Sequence, residues 1–496
     1  MVSYYRQGDS FSQASLIMQR ILRVVGLLAL VFTLFHASNA WGWQGGVSSA
    51  SYSMARAGLP IDPDGILIEE FINYHRHRIA EPMGASLALD VRFGAPACGP
   101  AQREVVLQVG LASTRHRIHS EKIPPLNLAI VLDQSGSMQG DRLEHVKKAL
   151  LAFLGKLRAG DRVSLVGFSD DAQVLFRSQA PLASGDLEKA VRSITADGST
   201  NLHAGLMLGY EEAAEHFGQG RTNRVILLTD GEANRGVTNA QQIIADSRAF
   251  NDRDIDLSTI GVGYSFNHRL MRALTDAGRG LLHFVGDDQD IEKTFVEELE
   301  SLLAPVARRV SVEIEYDEGL ELQQVRGYSP SQSRRTITIG LHDLNHGATQ
   351  VILARFRATS NKKESELGVT ARLRYHDVAM RDVVTFRQRA TIAYDPELPA
   401  DAPLLTDESV RKNETIAEIA IGIQRLAAVI AKTNDPVEAD AVLTEPLAIV
   451  DERYPDLKDP DLVRVRDTLT RYRELLAKEA RRKKEFDENR AAAAIA

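Results

Sequence analysis

The chain has 496 residues, enough for two or three domains, and at 44% hydrophobic and 25% charged it has the makeup of an ordinary folded protein with ample core. Its formal net charge of −8 argues against nucleic acid as a partner, which would call for a basic surface. A single cysteine, Cys98, excludes an intrachain disulfide and a cysteine-based zinc site.

Near the N-terminus, "MQRILRVVGLLALVFTLFHASNAWG" sets Arg20 and Arg23 before an apolar run from Val24 to Phe35, then Ser38-x-Ala40. A basic start, a short apolar core and a small-residue pair are the layout of a secretory signal peptide, with Met18 the more usual start. The run is short for a membrane span. Residues 1–40 are therefore read as a signal peptide, with an uncleaved anchor that would hold the protein at a membrane as the alternative. The expected location is outside the cytoplasm: periplasm, cell envelope or extracellular space. A chain of this length needs no disulfides there. The Gly/Ser/Ala-rich residues 41–65 read as a flexible linker.

Residues 66–125 open with "ILIEEFINYHR", which predicts one short helix. Leu87, Leu89, Val91 and Phe93 then alternate with mostly polar neighbours, and Val105, Leu107, Val109 and Leu111 do the same. Both runs predict strands with one buried face.

Residues 126–304 change rhythm. Apolar runs at 126–132, 162–168, 224–229, 256–262 and 281–285 alternate with helical patterns, which predicts a doubly wound parallel sheet covered on both faces. The helix after the first run shows Leu143, Val146, Leu150, Phe153 and Leu157 on one face, with Asp141 as its expected cap and Glu144 three residues on. From 305 to 400 the period returns to two, as in Val310, Val312, Ile314 and Tyr316, in Ile337, Ile339 and Leu341, and in Leu367, Val369, Ala371, Leu373 and Tyr375, with further strands near 350–358 and 383–394. These strands share their character with the two early ones. The expectation is one β-sandwich made from both flanks, with the α/β domain inserted into it. Residues 401–496 are helical: Ile416, Ile419, Ile423, Leu426 and Ile430 form one seam, and Leu462, Val465, Leu469, Tyr472 and Leu476 another. An intramolecular helical hairpin is favoured over a dimerising coiled coil.

The chemistry concentrates in "AIVLDQSGSMQGDRLEHVKKAL", where a buried strand stops at Asp133 and Ser135 and Ser137 follow at alternate positions. Ligands of open α/β sheets bind at the carboxyl ends of the strands. "ADGSTNLHAGL" places Thr200 in a loop before a helix, and "VILLTDGEAN" places Asp230 where another buried strand stops. Asp133, Ser135, Ser137, Thr200 and Asp230 are all oxygen donors, a set that suits a hard octahedral cation such as Mg²⁺ or Mn²⁺. Neutral hydroxyls leave much of the ion's charge uncompensated, so an open position would attract an outside carboxylate.

Taken with their placement, these residues resemble the von Willebrand factor A domain family over about residues 126–304, including all five positions of its metal-ion-dependent adhesion site. The resemblance implies that Ser135, Ser137 and Thr200 contact the metal, with Asp133 and Asp230 direct or water-linked, and that a protein partner supplies Glu or Asp. From integrin-type relatives it implies coupling to the last α/β helix, about 290–303. "EEFINY" (69–74), "ACGP" (97–100) and "PPLNLAIVLDQSGSM" are similar to a group of bacterial envelope proteins, although "FINYHRHRIAEP" is basic after Tyr74. The function expected is a metal-dependent protein-binding module for adhesion or assembly, not an enzyme. The alternatives are a Mg²⁺-dependent phosphohydrolase, against which the two serines and the lack of a P-loop speak, and a scaffold whose metal only stabilises loops.

Other features have plainer readings. Gly136, Gly198 and Gly231 permit tight turns. Ser169, Asp170 and Asp171 read as a solvated loop rather than an auxiliary cation site. "HRHR" (75–78) and "RHRIH" (115–119) read as exposed basic loops without a third metal ligand. His342 and His346 lie near a turn. Cys98 reads as a structural thiol, and Asn413-Glu-Thr415 fits a glycosylation acceptor.

Overall fold

The computed structural model describes residues 66–115, 124–158, 160–178, 184–230, 233–262, 267–285, 305–359, 366–433 and 435–495. The expected signal segment, the linker, Gly231, residues 116–119 of the second basic stretch and the helix at 290–303 lie outside them.

Both flanks do build one sandwich. Strands β1 (Leu87–Phe93), β2 (Ala97–Cys98) and β3 (Glu104–Ser113) come before the α/β region. After it come β10 (Pro305–Tyr316), β11 (Leu320–Val325), β12 (Ser331–Ser333), β13 (Thr336–Gly340), β14 (Leu344–Asn345), β15 (Thr349–Ala358), β16 (Glu366–Asp377) and β17 (Asp382–Tyr394). One sheet has the order β1-β3-β15-β11 and the other β12-β13-β10-β16-β17-β2, with β14 also on β10. In β10, Val310, Val312, Ile314 and Tyr316 are buried while Ser311, Glu313 and Glu315 face outward. Each such apolar side chain contributes about 1.5–3 kcal/mol on burial. A slip of one residue would turn the whole set to solvent, so the pairing of Val312 with Ile339 and Leu373 is strongly specified.

The inserted sheet has the order β6-β5-β4-β7-β8-β9. Its strands are β4 (Leu126–Asp133), β5 (Arg162–Phe168), β6 (Ala172–Phe176), β7 (Thr222–Thr229), β8 (Asp256–Val262) and β9 (Arg279–Val285). β4 is central and parallel to β5 and β7. The sheet is not wholly parallel, because β6 turns straight back beside β5, which only an antiparallel neighbour can do across so short a connection. Helix α2 (Asp141–Leu154) covers one face through Leu143, Val146, Leu150 and Phe153, with α3 (Ser184–Arg192) beside it. The other face is covered by α4 (Leu202–Glu215), α5 (Ala240–Asn251) and α6 (His268–Ala277). The residue before α2 is Gly140 at φ 82°, and Asp141 caps nothing. Glu144 bonds Lys147 instead.

Where the inserted domain meets the sandwich, two arginines and two aspartates form a buried square. Arg224 of β7 lies 2.8 Å from Asp343 and 3.5 Å from Asp256, and Arg308 of β10 lies 2.6 Å from Asp256 and 3.5 Å from Asp343. Arg279 and Arg309 extend this network to Asp256 and Asp254. Asp254, Arg279 and Arg309 all have left-handed backbones, at φ 64°, 55° and 53°, a cost accepted where ion pairs fix the chain.

The helix α1 (Ile68–Asn73) serves as a second clamp. Its Glu69 and Glu70 hold Arg272 of α6 at 2.8 and 3.6 Å. Its Asn73 acts as a surrogate strand: Nδ2 donates to the Val351 carbonyl at 3.1 Å, and the Val351 amide donates to Oδ1 at 2.7 Å. Phe71 enters a helical core with Ile416, Ile419, Ile423 and Leu426 of α7 (Glu408–Thr433) and Leu462, Val465, Leu469 and Tyr472 of α10 (Pro460–Ile495). The two seams therefore meet within the chain. The short helices α8 (Pro436–Val442) and α9 (Thr444–Arg453) complete that core, so it is more than a hairpin. Among the described residues no helix is long and apolar enough to cross a membrane.

Two sequence expectations are corrected here. Asn413 and Thr415 are buried, which removes them as a glycosylation acceptor in the folded chain. His75 and His77 are buried too, with ring centroids 4.6 Å apart, rather than exposed in a basic loop. The alternation HRHR turns both imidazoles inward while Arg78 faces solvent. His77 Nε2 lies 3.0 Å from the acceptor Asn73 Oδ1, which places the ring proton on Nε2.

Burial, reinforced by Lys412, lowers the His75 pKa to about 3 and that of His77 well below its ordinary 6.5. As pH falls below 6.5 the unfolded chain therefore binds protons that the native rings refuse. Stability held by the neutral pair is present above 6.5 and is lost progressively toward about 3. In thermal melts between about pH 7.5 and about pH 5, the wild type should lose Tm more steeply than a His75→Gln/His77→Gln variant; parallel slopes would contradict the assignment. Separately, Asp343→Ala leaves Arg224 and Arg308 short of a counter-charge and should cost about 3–5 kcal/mol in urea unfolding.

Candidate metal centre

Strand β4 runs buried from Leu126 to Leu132, apolar except for Asn127, and ends on Asp133, which is 0% exposed. The chain then passes between two neighbours. Gln134 N–H donates to the Phe168 carbonyl at the end of β5 at 2.7 Å, and Gly136 N–H donates to the Gly198 carbonyl at 3.1 Å. Gly136–Met138 make one 3₁₀ turn, pinned by the fully buried Met138.

This path brings four of the five expected donors together: Asp133, Ser135, Ser137 and Asp230. Asp133 Oδ1 accepts the Ser135 amide at 2.8 Å, and Oδ2 accepts the Thr229 hydroxyl at 2.5 Å. Ser135 Oγ and Ser137 Oγ lie 3.0 Å apart, and Ser137 Oγ donates to Asp230 Oδ1 at 2.7 Å. Asp230 follows directly on β7, the parallel neighbour of β4, whose register pairs Leu132 with Leu228 and so ends both strands at the same edge.

Thr200 is joined through the backbone. Its N–H donates to Asn234 Oδ1 at 2.8 Å, and its carbonyl accepts the Asn234 and Arg235 amides at 3.1 and 3.3 Å. Thr200 thus ties the loop before α4 to the loop after β7. Asn201 caps α4 through Ala204 N–H. Gly198 is required here: its φ is +84°, and a Cβ would press on the Asp170 carboxylate at 3.2–3.3 Å. Gly136 is different, since a Cβ there would make only an ordinary contact, so its turn does not depend on glycine.

Ser135, Thr200, Asp133 and Asp230 are buried and Ser137 is exposed, so the cluster opens to solvent at Ser137. Burial pushes the Asp133 pKa up to about 6, against the lowering effect of its Ser135 and Thr229 hydrogen bonds. Asp133 is held by an amide and a hydroxyl, whereas Asp230 pairs with Arg142, with Nη1 3.0 Å from Oδ2. Among the described residues no group of three or more His, Cys, Asp or Glu could hold a metal, so a cation on this edge must be met largely by hydroxyls. The donors fit that task. Two oxygens at right angles about 2.1 Å from one octahedral ion are about 3.0 Å apart, and the two serine oxygens stand at 3.0 Å.

Three participants were missed from the sequence. Thr229 and Arg142 sit in segments that read as strand core and helix surface. Asp170, expected in a solvated loop, accepts the Ser199 amide at 3.0 Å and pairs with Arg235 at 3.3 Å, so it braces the Thr200 loop.

Residues 127–297 match the von Willebrand factor type A domain family. This segment is a von Willebrand factor type A domain. The chain is 30% identical over 303 residues to the uncharacterized protein YfbK of Escherichia coli K12, covering 58% of this chain and 52% of that one. It is 31% identical over 202 residues to an uncharacterized protein of Synechocystis, covering 41% and 46%. It is 26% identical over 247 residues to the human inter-alpha-trypsin inhibitor heavy chain H1, covering 48% and 25%. The chain thus spans about half the length of the two bacterial relatives and a quarter of the human one. A solved von Willebrand factor type A structure from Catenulispora acidiphila superposes with a TM-score of 0.56 at 16% identity, covering 75% of this chain and 88% of that one. That span reaches well beyond residues 127–297, so the shared fold includes more than the inserted domain.

Gly198→Ala should lower stability by about 1–2 kcal/mol, because a left-handed alanine is strained. Urea unfolding checks this, with Gly136→Ala as the control that should change little.

Proposed function

We propose that this chain is an exported, non-enzymatic binding module that engages a carboxylate of a protein partner through Mg²⁺ or Mn²⁺. Ser135, Ser137 and Thr200 would hold the ion, with Asp133 and Asp230 bound directly or through water. The observation that carries the reading is the serine pair, spaced as two neighbouring octahedral ligands and backed by two buried carboxylates at one sheet edge. The ion, when bound, supplies a Lewis-acidic position for an outside carboxylate. The chain's own residues do the rest: the Ser137 hydroxyl donates to Asp230, which directs its hydrogen away from Ser135, and Thr229 and the Ser135 amide orient Asp133. Export rests on the N-terminal pattern of Arg20, Arg23, Val24–Phe35 and Ala40. An uncleaved N-terminus would add membrane attachment.

A phosphohydrolase reading is disfavoured by the same geometry. Asp133 is 0% exposed, so its carboxylate is closed to in-line approach by a phosphate ester. The scaffold reading differs in its consequence for binding. Crosslinked capture from native envelope should be retained in Mg²⁺ and lost both in EDTA and with Asp133→Ala. Equal capture in all three overturns the proposal. A metal-dependent rise in Tm with unchanged capture would favour the scaffold.

A further inference from the structure

Arg142 lies on the first turn of α2 and carries no role in the metal reading above. Its guanidinium is 3.0 Å from Asp230 Oδ2 and 3.4 Å from the Ser137 carbonyl. The Asp230 side chain has no exposed surface, while that of Arg142 is 27% exposed. Asp230 is therefore shared: one oxygen takes the Ser137 hydroxyl and the other the guanidinium. The nearby Arg235 is engaged with Asp170 across the Thr200 loop.

The charge count follows from these contacts. Asp133, Asp230 and Arg142 carry one net negative charge between them. A divalent ion turns that into one net positive charge, which a single outside carboxylate would cancel. Without Arg142 the loaded edge would already be neutral.

Resting on the metal reading, we propose that Arg142 is a charge-setting residue that makes metal binding and carboxylate binding depend on each other. It compensates buried Asp230 in the metal-free molecule, weakens the hold on the ion by like-charge repulsion, and leaves the loaded edge in need of an anion. Ion and anionic ligand then bind cooperatively, each raising the affinity for the other by the same factor.

Calorimetric titration of the full chain with Mn²⁺, with and without excess acetate, tests this. Arg142→Gln should tighten Mn²⁺ binding on the order of tenfold, as expected for removing one nearby charge in a partly buried site. The enhancement of Mn²⁺ affinity by acetate should shrink in the same variant. Arg142→Lys keeps the charge and should stay close to wild type on both counts. In EDTA, Arg142→Gln should melt below wild type because Asp230 has lost its counter-charge, and Mn²⁺ should raise its Tm by more than it raises that of wild type. Mn²⁺ bound by wild type but held equally or more weakly by Arg142→Gln overturns this inference alone, as does a tenfold change in Arg142→Lys. Failure of wild type to bind Mn²⁺ overturns the metal reading and this inference with it.

Discussion

Burying a full positive charge is among the least favourable things a fold can do, and Arg224 is buried completely at the junction of the inserted domain and the sandwich. The arrangement is tolerable only because Asp256 and Asp343 meet it from two different domains while Arg308 completes the square. Within each domain the pair is loose, 3.5 Å for both Arg224–Asp256 and Arg308–Asp343, whereas the close pairs at 2.8 and 2.6 Å cross from one domain to the other. The square therefore specifies one docking orientation rather than merely adding contact area. It also anchors β7 at its start, and β7 is the strand that delivers Thr229 and Asp230 at its end.

The two ends of β7 keep opposite charge accounts. Six residues of strand separate Arg224 from Asp230, about 20 Å at 3.3 Å per residue. At the base, the two arginines and two aspartates of the square balance one another, and the backbone accepts left-handed residues at Asp254, Arg279 and Arg309. At the other end, Asp133 is held by hydrogen-bond donors, and burial raises its pKa. A site that is complete on its own has little to gain from a ligand. The base is complete and structural, whereas the edge is left with a deficit of positive charge on a scaffold too rigid to collapse around it.

Much of this was legible in the sequence, for identifiable reasons. β10 shows its buried face in plain alternation, and the short, largely apolar runs of β4, β5, β7 and β8, separated by helical patterns, fit strands covered on both sides. The donors Asp133, Ser135, Ser137 and Asp230 come together because strand ends at one sheet edge must lie side by side. Thr229 was not legible, because a threonine ending an apolar strand looks like core. Arg142 was not, because an arginine in the first turn of an amphipathic helix looks like solvated surface. His75 and His77 misled by charge: next to Arg76 and Arg78 they resemble a basic patch, and only the packing of α1 against α7 and β15 turns them inward. Strands as short as β2 and β14 carry too few residues to show any period.

The clamp made by α1 bears on how a load at the metal edge would reach the rest of the molecule. α1 holds Arg272 of the inserted domain with Glu69 and Glu70, the sandwich with Asn73, and the helical core with Phe71. Together with the Arg224 square it gives the inserted domain two ionic attachments on different strands and helices. A hinge needs one line of contact about which to turn, and two separated clamps deny it that freedom. A partner pulling on the edge would therefore load the sandwich and the helical core together, and the domain would act as a rigid mount for its binding face. Neither clamp includes Ser137, Thr200 or Asp230, whose loops are held by side-chain hydrogen bonds instead.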